Sequence, residues 1–296
     1  MENHQVFNSF GKSSEFSNDK FWVDYIGSKI DRRFHNVEFV TEDETKSNIP
    51  LLDEEYFEWV DILQAASEAK GRFVVVELGA GYGRWAARAC LAARQRGLAD
   101  IKAILVEAEP VHAEWSAQHM RNNGIDNFRV FQAAIGPSVG KTQFVVEMPD
   151  QNAASAPDAW YGQALNWTDE SHHRPTGRTY QGFDVIDNGT GWGTINVNVL
   201  PLEQIIDGID LVDIIDMDIQ GAEGDVVEAS IDLMSERVKR VHIGTHSHEV
   251  EDRIRKVMTE AGWHKVWDFS CGATSITPYG AVAFQDGVQS WVNPSL

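Results

Sequence analysis

In the first part of the chain, the spacing of hydrophobic positions is typical of a helix in some segments and of a β-strand in the segments between them. The segment after Asp53 has acids in its first turn and apolar residues near one helical side until Gly71, which predicts a helix. Residues 73–78, FVVVEL, are apolar on both faces, as in a central parallel strand. Residues 84–96, rich in alanine, predict a second helix, so the pattern indicates an α/β fold.

The same order continues towards the middle of the chain. Residues 101–110, IKAILVEAEP, predict a second buried strand, and Pro110 opens a helix that Gly124 ends. The run NFRVFQAAIG predicts a third strand. Strands that are separated by helices in this way are typical of a parallel sheet.

After the third predicted strand, helices and strands no longer alternate regularly. GKTQFVVEM alternates polar and apolar positions and predicts a fourth strand at an edge of the sheet. Residues 149–193 combine aromatic and turn-forming residues without a helix or strand pattern, which we interpret as a functional insertion. The sheet is predicted to resume in TINVNVLPLEQII, DLVDIIDMDIQGAE and RVKRVHIGTHSHEVE. It is predicted to close with HKVWDFS and AVAFQDGVQSWV as an antiparallel pair.

These patterns predict two regions. Residues 1–70 form an N-terminal extension with a cap helix. Residues 71–296 form one α/β domain that carries the insertion 149–193.

Charge and composition narrow the choice of partners. The 296 residues include 45 acidic and 25 basic ones, a net charge of −20, and no basic cluster suited to a phosphate backbone, so we expect no nucleic-acid partner. No segment approaches the roughly 18 apolar residues of a membrane span, and the start of the chain does not resemble a signal peptide. Cys90 and Cys271 give no disulfide framework, so we expect a cytoplasmic protein, with a homo-oligomer left open.

Three glycines mark a ligand-binding turn at the end of the first strand. Gly79, Gly81 and Gly83 let the backbone approach a ligand closely, and the helix start that follows favours polar or anionic groups. A dinucleotide fold places a third small residue where this chain has Arg84. The turn therefore matches NAD poorly.

Two glutamates favour a different ligand. Glu77 lies at the end of a buried strand, where a carboxylate needs a partner such as the ammonium group of an amino acid. Glu107 ends the second strand, at about the position from which an acid binds a ribose diol. S-adenosylmethionine carries both groups, so the sequence predicts this cofactor.

The same motifs resemble a known family. VVVELGAGYGRW and LVEAEP are similar to the first two motifs of Rossmann-like class I methyltransferases, and AAIGPSVG with VDIIDMDIQGAE resembles the FkbM type over roughly residues 71–285. The chain departs from that type at Asp216, where a lysine is usual, and at Gln220, where a glutamate is usual. The resemblance implies a seven-stranded, mostly parallel sheet, S-adenosylmethionine as the methyl donor and an oxygen acceptor on a sugar or polyketide.

The glycine turn and the resemblance together predict the cofactor site. Its residues are Glu77, Gly79, Ala80, Gly81, Tyr82, Glu107, Ala108, Gln132, Ala133 and Asp216.

Catalysis is predicted at the carboxyl ends of later strands, where ligands bind in open α/β sheets. An alcohol acceptor needs a base within hydrogen-bonding distance. His246 is the first choice because its unperturbed pKa is near neutrality, and Asp218 is the alternative, as a base or as an orienting group. Asp218 could also bind Mg²⁺ with Glu223 or His246.

Three functions remain open from the sequence. The first is an S-adenosylmethionine-dependent O-methyltransferase that acts on a hydroxyl of a sugar, a glycan or a glycosylated small molecule. The second is an NAD-linked oxidoreductase, which Arg84 and Glu77 disfavour. The third is a cofactor-binding protein that has lost catalysis, with Asp216 and Gln220 as the substitutions that suggest it.

Overall fold

The computed structural model describes most of the chain. The described residues are 3–34, 49–147, 162–166, 173–189 and 191–296. The helices are α1 (Glu55–Glu68), α2 (Arg84–Gln95), α3 (Pro110–Asn122), α4 (Leu202–Ile205), α5 (Glu223–Arg237) and α6 (His248–Glu260). The strands are β1 (Phe21–Val23), β2 (Lys29–Asp31), β3 (Arg72–Leu78), β4 (Asp100–Glu107), β5 (Phe128–Gln132), β6 (Ala134–Ile135), β7 (Gly140–Glu147), β8 (Leu165–Asn166), β9 (Arg174–Tyr180), β10 (Phe183–Asp187), β11 (Gly193–Leu200), β12 (Ile214–Met217), β13 (Arg240–Thr245), β14 (His264–Phe269), β15 (Ala273–Thr277), β16 (Gly280–Phe284) and β17 (Gly287–Val292).

A seven-stranded sheet forms the centre of the protein. Its strand order is β14-β17-β13-β12-β3-β4-β5, and every strand except β17 runs in the same direction. Apolar side chains from α1, α2 and α3 cover one face, and those from α4, α5 and α6 cover the other. The predicted seven-stranded, mostly parallel sheet is confirmed. The strand order reverses between β3 and β12, where a crevice opens at the carboxyl ends of the strands.

The strands of the C-terminal part confirm the predicted antiparallel pair, but they are divided differently from the prediction. Strands β14 and β17 are antiparallel neighbours, which confirms the predicted hairpin at the edge of the sheet. However, the run AVAFQDGVQSWV is two strands rather than one, because its first part is β16 and pairs with β15 in a separate two-stranded sheet.

A second, largely antiparallel sheet lies beside the large one. Its order is β8-β7-β11-β10-β9, and β6 pairs with β11 in parallel. The prediction that GKTQFVVEM and TINVNVL belong to the large sheet is therefore wrong. Strand β11 alternates buried and exposed positions from Ile195 to Val199, and β7 alternates buried and half-buried positions from Phe144 to Glu147. This suits a sheet with one covered face, whereas strands of the large sheet are covered on both faces. Strands β9 and β10 also show that residues 149–193 are not structureless.

Helix α1 attaches the N-terminal residues to the large sheet. Tyr56 and Phe57 are fully buried in the apolar layer between α1, α2 and the sheet. Asp61 of α1 accepts hydrogen bonds from Arg240 (3.1 Å) and His242 (2.8 Å) of β13. Over the described ranges, none of the helices has the length and apolar character to cross a membrane.

Candidate active site

A cavity of about 300 Å³ lies at the carboxyl ends of β3, β4 and β12, in the crevice where the strand order reverses. It brings together every predicted cofactor residue except one. Those that line it are Glu77, Gly79, Ala80, Gly81, Tyr82, Glu107, Ala108, Ala133 and Asp216. The exception is Gln132, whose side chain is exposed at the end of β5 and does not line the cavity. The neighbouring Ala133 lines the cavity instead.

The glycine turn is shaped by its contacts with neighbouring strands. The amides of Gly79 and Ala80 donate to the carbonyl oxygen of Val106 at 3.0 and 2.9 Å. Gly79 has a φ of +82°, and a Cβ atom there would lie 1.8 Å from the carbonyl oxygen of Asp218. Glycine at position 79 therefore allows the end of β12 to approach the turn. This role comes in addition to the predicted close approach of a ligand.

Gly83 supplies the close contact between helix and strand. A Cβ atom on Gly83 would lie 2.6 Å from Cδ2 of Leu105, so only glycine lets α2 pack against β4 here. Because Gly83 makes this contact, Arg84 does not hold α2 away from β4. A dinucleotide-binding fold, in contrast, needs a small residue at the position of Arg84. The guanidinium of Arg84 turns to Glu55 of α1, at 2.6 Å.

Glu77 is buried and is bonded to the first turn of α2. Its two carboxylate oxygens accept the amide hydrogens of Trp85 (3.2 Å) and Ala86 (2.8 Å). Burial, reinforced by the nearby carboxylate of Asp216, raises the pKa of Glu77 to about 8 despite these donors. A cation beside it would stabilise the ionised form, which fits the predicted ammonium contact.

Glu107 connects the glycine turn to the end of β4. Its oxygens accept the amide hydrogens of Gly81 (2.6 Å) and Glu109 (2.8 Å), and burial raises the pKa of Glu107 to about 7. An ionised carboxylate offers about four acceptor positions, so Glu107 keeps acceptor capacity for a hydroxyl group beyond its bonds to backbone amides. This is compatible with the predicted bonds to a ribose diol.

Several cavity residues escaped the sequence prediction. Phe144 of β7 and Leu165 of β8 line the cavity from the second sheet, and Gly162 and Gln163 line it beside them. His112, in the first turn of α3, is buried and also contributes. No short motif marks these residues, because they reach the cavity only through the packing of the second sheet and α3 against the crevice.

A histidine held between two carboxylates lies at the mouth of the cavity. His246 Nδ1 is 2.9 Å from Glu223 Oε1, and His246 Nε2 is 3.2 Å from Asp218 Oδ1. Glu223 is fully buried and also accepts the amide hydrogens of Ile219 and Gly221. Asp218 lines the cavity with its side chain 51% exposed, so its carboxylate can reach a bound molecule.

The predicted role of His246 as a base needs revision. Burial lowers its pKa, but the hydrogen bonds and charges of Asp218 and Glu223 outweigh burial and raise it to about 10. His246 is therefore protonated near neutrality and has no free site for another proton. Burial alone would raise the pKa of Asp218, yet His246 lowers it overall, so Asp218 is the ionised group that faces the cavity.

The same three residues do not fit Mg²⁺. Their ligand atoms lie within 4.8 Å of one another. However, one of the three groups is an imidazole whose Nδ1 is already hydrogen-bonded to Glu223, and Mg²⁺ prefers oxygen ligands in an octahedral arrangement. The arrangement is a clamp made of one charge-assisted hydrogen bond, from His246 to Glu223, and one ion pair, between His246 and Asp218.

Comparison with known proteins identifies the family. The sequence profile of the methyltransferase FkbM domain matches residues 77–265, which is more than half of the chain. The protein belongs to the FkbM methyltransferase family. Its fold is that of Rossmann-like class I methyltransferases, as predicted. The family implies S-adenosylmethionine as the methyl donor, and the NAD-linked alternative is not supported.

This FkbM-family enzyme is similar to named proteins in sequence and in fold. A protein of Jannaschia sp. (strain CCS1), provisionally named as a methyltransferase, is 27% identical over 239 residues, which cover 81% of this chain and 79% of that protein. The crystal structure of a methyltransferase FkbM from Methylobacillus flagellatus KT has a TM-score of 0.42 and 11% identity, and the match covers 81% of this chain but 56% of that one. The crystal structure of a precorrin-6y C5,15-methyltransferase from Geobacter metallireducens GS-15 has a TM-score of 0.42 and 10% identity. The match covers 90% of this chain and 97% of that one.

The FkbM-family enzyme shows what one departure from the usual motif does. Gln220 replaces a glutamate, and its amide nitrogen donates to Asp218 Oδ1 at 2.9 Å. An ionised glutamate could not donate this bond and would repel Asp218. Gln220 therefore helps His246 to orient the Asp218 carboxylate at the mouth of the cavity.

The clamp predicts a pH-dependent contribution to stability. The pKa of His246 is raised in the folded protein, so its contribution is fully present below about pH 6.5 and is lost as the pH rises through about 10. His246→Gln should lower the free energy of unfolding near neutrality by about 1.5–3 kcal/mol, the range for a hydrogen bond with a charged group. Urea denaturation at neutral and alkaline pH measures this difference.

The exposed His264 provides the control. His264→Gln should leave both the stability and its pH dependence unchanged. If wild type and His246→Gln lost stability in parallel as the pH rose, the protonated clamp would be refuted.

Proposed function

We propose that the enzyme transfers the methyl group of S-adenosylmethionine to a hydroxyl oxygen of a sugar, a glycan or a glycosylated small molecule. The single observation that carries the proposal is the half-exposed, ionised Asp218 at the mouth of the cofactor cavity. A carboxylate in this position can accept a hydrogen bond from an alcohol and direct its lone pair towards the methyl group.

Asp218 is suited to orienting the acceptor and to taking its proton late. S-adenosylmethionine supplies a methyl group activated by the sulfonium, and displacement leaves a neutral thioether. A hydroxyl oxygen becomes strongly acidic as it bonds to the methyl carbon, so a carboxylate with a low pKa can still accept the proton. His246 and Gln220 hold the carboxylate in place during this step.

The cover of the cavity supports a water-excluding site. Phe144 and Leu165 bring apolar side chains from the second sheet over the crevice. Gly162 and Gln163 show that the described part of the insertion 149–193 also reaches the cavity. Exclusion of water prevents competing reactions and strengthens the polar contacts inside.

The polar groups around the cavity favour a neutral, hydroxylated acceptor. Gln163 and Gln220 bring amide groups to the same cavity as Asp218, and the guanidinium of Arg84 is paired with Glu55. Amides and a carboxylate bind hydroxyl groups well but provide little attraction for an anionic acceptor. Trp160, Tyr161, Trp167 and His172 of the insertion lie outside the described residues.

An acceptor screen tests the proposal. With S-adenosylmethionine that carries a deuterated methyl group, we expect a labelled methyl ether on one hydroxyl of a sugar or glycoside, identified by mass spectrometry and NMR. The matched control is the same acceptor without that hydroxyl, which should remain unlabelled. Transfer to a nitrogen or carbon atom, with hydroxyl compounds left unmodified, would refute the proposal.

A further inference from the structure

Two carboxylates lie side by side on the floor of the cofactor cavity. Asp216 of β12 and Glu77 of β3 are paired in register on adjacent parallel strands. Each is 2% exposed, and both line the cavity. Neighbouring buried carboxylates repel each other unless a proton or a cation lies between them.

A third carboxylate approaches from the N-terminal helix. An oxygen of Glu58 in α1, an oxygen of Asp216 and a ring nitrogen of His242 lie within 4.8 Å of one another. Asp216 Oδ1 is buried and has no hydrogen-bond donor among the described residues. Burial raises the pKa of Asp216 to about 6 and that of Glu58 well above its usual value, and the proximity of the two carboxyl groups adds to the rise for Glu58.

The basic side chains nearby contact other carboxylates. Arg84 contacts Glu55, and His242 Nδ1 contacts Asp61 Oδ2 at 2.8 Å. The titratable and charged groups that face Glu58 and Asp216 are Glu55 of α1, Glu77 of β3, Arg84 of α2, Asp218 after β12 and His242 of β13. Acids outnumber bases in this set, so the site favours an additional cation.

We infer that Glu58 and Asp216 share one proton in the free protein, and that the α-ammonium group of the cofactor displaces this proton when it binds between Asp216 and Glu77. The inference rests on the use of S-adenosylmethionine that the proposed function also requires. The proton passes to solvent, the two carboxylates become fully ionised, and the incoming ammonium compensates the added negative charge. The only bond that breaks is the carboxyl O–H bond, and water takes up the proton.

The inference gives the N-terminal segment a role in cofactor binding. Glu58 lies outside residues 77–265, which match the family domain. Asp216 stands where the family usually has a lysine, a residue that would supply the positive charge itself. The pair of acids thus makes cofactor binding dependent on pH, with Glu58 as a positioning residue that acts through Asp216.

Calorimetry with S-adenosylhomocysteine tests this directly. At neutral pH we expect binding to release nearly two protons, one from the Glu58–Asp216 pair and one from Glu77, measured in buffers of different ionisation enthalpy. Binding should tighten by up to tenfold per pH unit for each proton released between about pH 6 and about pH 8. Methylthioadenosine keeps the nucleoside and the thioether but lacks the amino acid. It should release about two protons fewer than S-adenosylhomocysteine and depend less on pH, because Glu107 is the acid expected to contact its ribose.

Matched variants assign the proton. Glu58→Gln should release about one proton fewer than wild type, whereas Glu68→Gln, on the exposed side of the same helix, should behave as wild type. If Glu58→Gln is unstable, the wild-type comparison between the two ligands decides the matter. Equal proton release with both ligands, or in wild type and Glu58→Gln, would overturn the inference alone. Failure of S-adenosylhomocysteine to bind would overturn the cofactor assignment as well.

Discussion

Asp218→Asn is expected to lower kcat by about 10²–10⁴-fold, the range for loss of a positioned general base. The asparagine keeps the size of the side chain and its oxygen can still accept the hydrogen bond from Gln220, but it cannot take a proton. Because Asp218 is half exposed and its carboxylate only borders the cavity, the affinity for S-adenosylhomocysteine should change by less than about threefold. Single-turnover kinetics and calorimetry measure the two quantities separately.

The control is an exposed aspartate outside the cavity. Asp207→Asn makes the same chemical change at the surface and should leave kcat unaltered. Wild-type turnover in Asp218→Asn would refute the role of this carboxylate. An equal loss of kcat and of cofactor affinity would indicate instead that Asp218 mainly supports the structure of the cavity.

Gly79→Ala is expected to lower the free energy of unfolding by about 2–5 kcal/mol. The estimate combines about 1–2 kcal/mol for a side chain in the left-handed region with about 1–3 kcal/mol for overpacking. The added Cβ atom would lie 1.8 Å from the carbonyl oxygen of Asp218, so the turn and the end of β12 must separate. Activity should also fall, because a displacement of about 1 Å in a reacting group can cost about 10²-fold.

A second glycine separates the two contributions. Gly97 has a φ of +79°, close to that of Gly79, but a Cβ atom there would have no neighbour within 4 Å. Gly97→Ala should therefore show only the cost of the backbone conformation, about 1–2 kcal/mol, with normal activity. Equal losses in the two variants, measured by chemical denaturation, would show that the contact between Gly79 and Asp218 is unimportant.

The large sheet was predictable because its signal is local. Residues 73–78 and 101–110 are apolar on both faces, and only a strand covered by helices on both sides satisfies such a pattern. The alternating strands β7 and β11 were recognised as strands but placed in the wrong sheet. Alternation shows that one face is covered, and it does not show which layer covers it.

The site was predictable to a similar degree. Glu77, Glu107 and the glycines between them are close in sequence to the strand ends that position them, so their convergence on one cavity follows from the order of parallel strands. Glu58 gave no signal, because an acid in the first part of a helix is usually exposed. Its contact with Asp216 joins α1 to β12 and depends on how α1 packs on the sheet.

The sequence alone determined the fold class, the cofactor class and the strand ends at which we propose that the chemistry takes place, since these depend on periodicity and on short motifs. Only the tertiary structure decided which groups carry protons. His246 has an ordinary pKa in isolation, but Asp218 and Glu223 hold it protonated, and burial with mutual repulsion does the same for the carboxylates around Asp216. Protonation depends on burial and on charges within a few ångströms, and those neighbours are fixed by packing between segments that are distant in the chain.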